Sequence, residues 1–110
     1  MSWWIYLRSK ECEHCGASGQ EFFNTNYTSN MWPMLHEARF DWDPLEGKTA
    51  EEIEPEIERL IGLMTKDPAA YRALNPKNGW GNYDSFLREV LRPLLEACKE
   101  NPKAIFHISR

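Results

Sequence analysis

Cys12-Glu13-His14-Cys15-Gly16 is the segment whose residue types and spacing come nearest to a known chemistry. Two cysteines separated by two residues can bring both thiolates onto one tetrahedral metal, and a glycine after the second permits the backbone turn that such a knuckle needs. This is half of a zinc site. The residues that could complete it are His14, His36, Cys98 and His107, none at a diagnostic spacing. A redox reading is weaker, because a reactive CxxC sits at a helix N-terminus that lowers the first thiol's pKa. Here the loop-forming Gly16-Ala17-Ser18-Gly19 follows instead. The plainer alternative is two ordinary cysteines in a turn.

Two further segments carry polar and aromatic side chains. The run Asn24-Thr25-Asn26-Tyr27-Thr28-Ser29-Asn30 leads toward a helix start, where unpaired N–H groups and the positive end of the helix dipole could receive an anionic or amide-bearing ligand. Asn75 to Tyr83 holds Trp80 between two glycines, a possible stacking platform. Capping and turn formation explain the same residues without a ligand. The candidate ligand-binding set is Asn26, Tyr27, Thr28, Asn30, Asn78, Trp80 and Tyr83, and the expectation is that the two segments meet in the fold. No nucleophile, base and orienter can be assembled from spacing, and the glycines fit neither a P-loop nor a dinucleotide fingerprint.

The elements that must hold these segments follow from periodicity. Residues 3–8 and 104–109 are rich in aromatic and β-branched types and read as strands, one at each end of the chain, most economically paired in one sheet. Asn30 as N-cap with Pro33 in the first turn predicts a helix over about 31–40. Phe40 to Lys48 reads as a loop. Thr49 and Glu52 have the spacing of a capping box before Ile53, Ile57, Leu60, Ile61 and Met64, the clearest amphipathic helix. Pro55 within it predicts a kink or a start near Glu54. Asp67-Pro68 opens a short helix through Leu74. The last helix, over about 83–100, presents Phe86, Leu87, Val90, Leu91, Leu94, Leu95 and Cys98 on one face, is bent by Pro93 and is ended by Asn101-Pro102. The expected fold class is α+β: a mainly helical single domain, about four helices packed on a small sheet of the N- and C-terminal strands.

Composition sets the wider limits. At 110 residues the chain has room for one core, and its 42% apolar and 27% charged content is that of a folded globule. A net charge of −4 with scattered basic residues argues against nucleic acid. The odd number of cysteines, the absence of an apolar run near the ~20 residues a bilayer needs, and an N-terminus without a cationic stretch together predict a cytoplasmic protein without a membrane segment.

The CxxCG segment, then Asn26-Tyr27-Thr28-x-Asn30, then Asn75-Pro76-x-Asn78-Gly79-Trp80-Gly81-x-Tyr83, then a helix ending in Cys98-x-x-Asn101-Pro102, resembles a group of small uncharacterised bacteriophage and prophage proteins. The resemblance covers nearly the whole chain and implies a phage-associated origin, in the host cytoplasm, without implying a reaction. The expected function is a non-enzymatic binding or interaction module, zinc-stabilised if the cysteines bind metal, acting on a host protein or a small molecule. The alternative is a small ligand- or nucleotide-handling enzyme using Asn26, Asn78 and Tyr83.

Overall fold

The structure is a computed structural model that describes residues 2–9 and 20–109. The two expected terminal strands form and pair. β1 (Ser2–Arg8) runs antiparallel to β3 (Ile105–Ser109), with Trp4 opposite Ser109 and Arg8 opposite Ile105. Alternation on β1 is strict enough to fix the register: Trp3, Ile5 and Leu7 are buried, while Trp4 and Arg8 face outward.

A third strand, β2 (Glu21–Thr28), occupies the other side of β1, giving the antiparallel order β2-β1-β3. This corrects the reading of residues 24–28 as an irregular approach to a helix. Their Asn and Thr content suggests turn chemistry in isolation, but β1 supplies a ladder for them. Phe23, Thr25 and Tyr27 lie opposite Leu7, Ile5 and Trp3, so the inward positions of β2 continue the apolar face. Asn24 and Asn26 are turned outward.

The outer edge of β3 is closed by residues 46–48, far earlier in the chain. Phe106 N–H donates to the Lys48 carbonyl at 2.8 Å, Gly47 N–H to the Phe106 carbonyl at 2.9 Å, and Ile108 N–H to the Glu46 carboxylate at 3.0 Å. An edge whose backbone groups are already bonded offers no template to another chain.

The inner face of the sheet is covered by helices. α1 (Trp32–Glu37) follows a 3₁₀ turn at Ser29–Met31 whose cap is Thr28, not Asn30: Asn30 N–H donates to Thr28 Oγ1 at 3.2 Å. α1 also stops short of residue 40. Arg39 adopts φ 54°, and Phe40 N–H and Arg39 N–H fold back on the Leu35 and His36 carbonyls at 2.9 and 3.0 Å. This is the helix ending that glycine normally makes, with an arginine in its place.

α2 (Ala50–Lys66) begins where the capping box puts it, with Glu52 N–H on Thr49 Oγ1 and Thr49 N–H on the Glu52 carboxylate. Pro55 is inside the helix, which corrects a start near Glu54. The proline forgoes one bond to the carbonyl four residues back, and the box holds the turn before it. α3 (Pro68–Arg72) is capped by Asp67 and ends earlier than Leu74. The last helical run comprises α4 (Tyr83–Phe86), a π turn at Leu87–Leu91 and α5 (Arg92–Glu100). The π turn lies immediately before Pro93, where Arg92 N–H reaches back to the Leu87 carbonyl, and the wider loop makes room for a ring that cannot donate. Leu60, Leu91 and Leu94 are fully buried and Ile61 and Leu87 nearly so, in one core that α2, α5 and the sheet share.

Candidate functional site

Two regions bring sequence-distant polar and aromatic residues together. At the first, a seam, β2 meets the residues that open α4. Tyr27 carries its hydroxyl to the start of that helix, where Asn82 N–H donates to it at 3.1 Å and Ser85 Oγ makes a further hydrogen bond. Asn82 itself caps α4 by accepting Ser85 N–H at 2.9 Å. Gly81, at φ 86°, lies so close to β2 that a Cβ there would stand 2.6 Å from the Thr28 methyl. The segments 26–30 and 78–83 therefore do meet, through packing and caps.

The other members of the candidate set are engaged in the same way. Asn26 Nδ2 donates to the Trp3 carbonyl at 3.2 Å. Asn78 Oδ1 accepts Trp80 N–H at 3.0 Å, an Asx turn that leaves the Trp80 ring 71% exposed. Tyr83 is a core residue: its ring is buried, its hydroxyl donates to the Met64 carbonyl at 2.9 Å and its N–H is held by Asn75 Oδ1 at 2.8 Å. Thr28 and Asn30 form the 3₁₀ turn.

The second region is a cleft of about 430 Å³ between the start of β1, α1 and the chain after it. Trp3, Leu35, Phe40 and Trp42 form its apolar lining, with Trp32 beside them, and Ser2, Ser29, His36 and Asp41 contribute polar groups. The ending of α1 builds it. The reversal at Arg39 returns Phe40 against Leu35, the contact this helix ending favours. Arg59 of α2 then fastens the reversal, donating from Nη1 to the Ala38 carbonyl at 2.8 Å and from Nη2 to the Arg39 carbonyl at 3.1 Å. Its guanidinium is itself held two-fold by Glu56. Trp32 is 59% exposed and stands edge-on to the His36 ring at 5.7 Å.

Among the described residues, Trp42 carries the buried side-chain polar atom that lacks a hydrogen-bond partner. It is 1% exposed and packed by Phe40 edge-on at 4.9 Å, by Trp3 at 5.9 Å and by Phe106, stacked at 5.9 Å. Its buried Nε1–H has no hydrogen-bond partner among the described residues. A buried donor left without an acceptor costs roughly 1–3 kcal/mol. None of the lining residues except His36 belongs to either candidate set. The signal available in sequence was the aromatic spacing of Trp32, Phe40 and Trp42, which reads as core.

Of the metal candidates, Cys12, His14 and Cys15 lie outside the described residues. Cys98 is fully buried on α5, where burial and, less, the charge of Glu54 push its thiol up to about 12. His36 is at the cleft, and His107 Nδ1 pairs with Glu46 at 2.8 Å. Among the described residues no three His, Cys, Asp or Glu side chains are placed to hold a metal ion, and no helix is long and apolar enough to cross a membrane. No family model, curated protein or solved structure matches the chain.

Proposed function

We propose that this protein is a binding module that works by recognition, and that its recognition site is the aromatic cleft beside α1. The observation that supports this reading is the combination of an open, tryptophan-walled cleft with a buried indole donor that lacks a partner among the described residues. Binding sites are concave and mainly apolar with few polar groups, and an unpaired donor in the lining is the kind of group a ligand completes. The seam, by contrast, has its polar atoms engaged in caps.

Two chemically active side chains among the described residues support recognition over turnover. Cys98 is held protonated by burial, and the Tyr83 hydroxyl is tied to backbone. A phage accessory role toward a host component is the setting that the sequence resemblance suggests. Zinc on Cys12 and Cys15 belongs to the same proposal as a stabiliser of the chain between β1 and β2. One zinc per chain, lost in Cys15→Ser together with a lower Tm, is the expected result for the metal. Metal-free protein with an unchanged Tm in that variant contradicts it.

The cleft itself is tested by screening small aromatic compounds against isotopically labelled protein. Hits should shift the indole signals of Trp32 and Trp42 and be lost in Trp32→Ala. Hits that shift only Trp80 or the seam would contradict the assignment.

A further inference from the structure

A second cleft, of about 290 Å³, lies between the end of α2, α3 and the last helical run, and it shares no lining residue with the aromatic one. Three of its lining residues are arginines, Arg72, Arg88 and Arg92, against one carboxylate, Asp84. In a chain of net charge −4 this is a local excess of positive charge. A cleft lined by one sign of charge focuses the field and gathers ions of the other sign.

Each arginine keeps donors to spare. Arg72 spends two of its five N–H groups on Asp84, from Nε at 3.3 Å and from Nη2 at 2.9 Å, and its guanidinium lies over the Tyr83 ring at 4.8 Å. These contacts hold the fork in place. Arg88 meets its chain neighbour Glu89 at 3.6 Å with both side chains more than half exposed, a pair worth little in water. Among the described residues the exposed Arg92 side chain forms no ion pair or hydrogen bond. Arg88 and Arg92 are four residues apart on one helical run, where like charges are neighbours and repel. An anion bound to both offsets that repulsion.

Charge selects the anion. Asp84 is balanced by Arg72, so the charge offered to a ligand is that of Arg88 and Arg92, reduced at Arg88 by Glu89. A phosphate monoester is close to a dianion at neutral pH, and arginine forks match its terminal oxygens in pairs. A sulfate ester or a phosphodiester brings a single charge. Pro68 and Leu87 add apolar lining, and the volume is near the lower end of the roughly 300–1,000 Å³ of small-molecule sites, which suits one phosphoryl group on a short carbon stem.

We propose that this cleft binds the phosphoryl group of a phosphate monoester, held by Arg88 and Arg92 with Arg72 as a prepositioned third donor. The site is independent of the aromatic cleft.

The test uses the full chain labelled with ¹⁵N, read at the arginine Nε–H signals, with affinities from calorimetry near neutral pH. The probes are phenyl phosphate, N-acetyl-phosphoserine methylamide and phenyl sulfate. Phenyl phosphate should bind saturably, move the Arg72, Arg88 and Arg92 signals, and bind about tenfold or more tighter than phenyl sulfate. Arg88→Gln and Arg92→Gln should each weaken it about tenfold at unchanged Tm, since both side chains are exposed. Affinity should also fall as pH is lowered through about 6, where the monoester takes up a proton. Tighter binding of the phosphoserine probe supports the site with a phosphorylated chain as the source, and tighter binding of phenyl phosphate supports it with a free monoester. Phenyl sulfate binding as tightly would overturn the assignment. So would an equal loss in Arg8→Gln, which removes the same charge from β1, because attraction would then be diffuse. Absence of saturable binding overturns it outright and leaves the aromatic cleft to its own screen.

Discussion

The seam and the cleft are both places where aromatic side chains from distant parts of the chain converge, yet they differ in what their polar atoms do. At the seam, Tyr27, Asn82 and Ser85 satisfy one another and the first turn of α4. At the cleft, the lining is held by backbone reversal and by Arg59, and the buried Trp42 donor is left over. A region whose polar groups close on themselves stabilises the fold. A region with a donor to spare is where a ligand adds something.

The largest effect on this comparison should come from Gly81→Ala. The substitution places a side chain at positive φ and drives it into the Thr28 methyl, so we expect a loss of about 1–3 kcal/mol in chemical denaturation. A loss near zero would mean that β2 and the start of α4 are not packed as described. Tyr27→Phe removes a hydroxyl that serves Asn82 and Ser85, and should cost about 1 kcal/mol. At the cleft end, Arg39→Gly relieves an arginine at φ 54° and should stabilise by roughly 0.5–1 kcal/mol, as a rise in Tm. A drop would show that the Arg39 side chain, not its backbone, holds the reversal.

The smallest effect is electrostatic and belongs to the seam side. Arg72 holds the Asp84 carboxylate below its usual range through a hydrogen bond at 2.9 Å. A lowered folded-state pKa contributes stability above the ordinary carboxylate range and loses it as pH falls through the lowered value. Asp84→Asn should therefore flatten the acid limb of the stability curve, measured by denaturation between neutral and acid pH, and leave the cleft signals in place. An unchanged acid limb would show that this exposed pair carries no stability.

What was legible in sequence tracks what is local. The capping box at Thr49 and Glu52, the Asp67-Pro68 helix start and the 3.6-residue faces of α2 and α5 are each decided within a few residues, and each is present. The pairing of β1 with β3 was also inferable, since two apolar strands at opposite ends of a small domain have few ways to be buried. β2 was missed because its Asn and Thr residues favour turns until β1 is placed beside them, and pairing is not a local property. The cleft was missed for a related reason. It depends on Arg39 taking a conformation that glycine usually supplies, and on Arg59 from α2 to hold it, neither of which leaves a motif. Tyr83 shows the converse error: a polar tip beside glycines suggested a site, while its hydroxyl reaches across the core to Met64.

The most direct test of the central claim compares Trp32→Ala with Tyr27→Phe, measuring on the same samples Tm and the affinity of an aromatic hit from the cleft screen. Trp32 is 59% exposed, so its truncation should change stability by no more than about 0.5 kcal/mol while lowering affinity about tenfold. Tyr27→Phe should lower Tm and leave affinity unchanged. The opposite pattern, with affinity lost at Tyr27 and kept at Trp32, would place recognition at the seam and contradict the account.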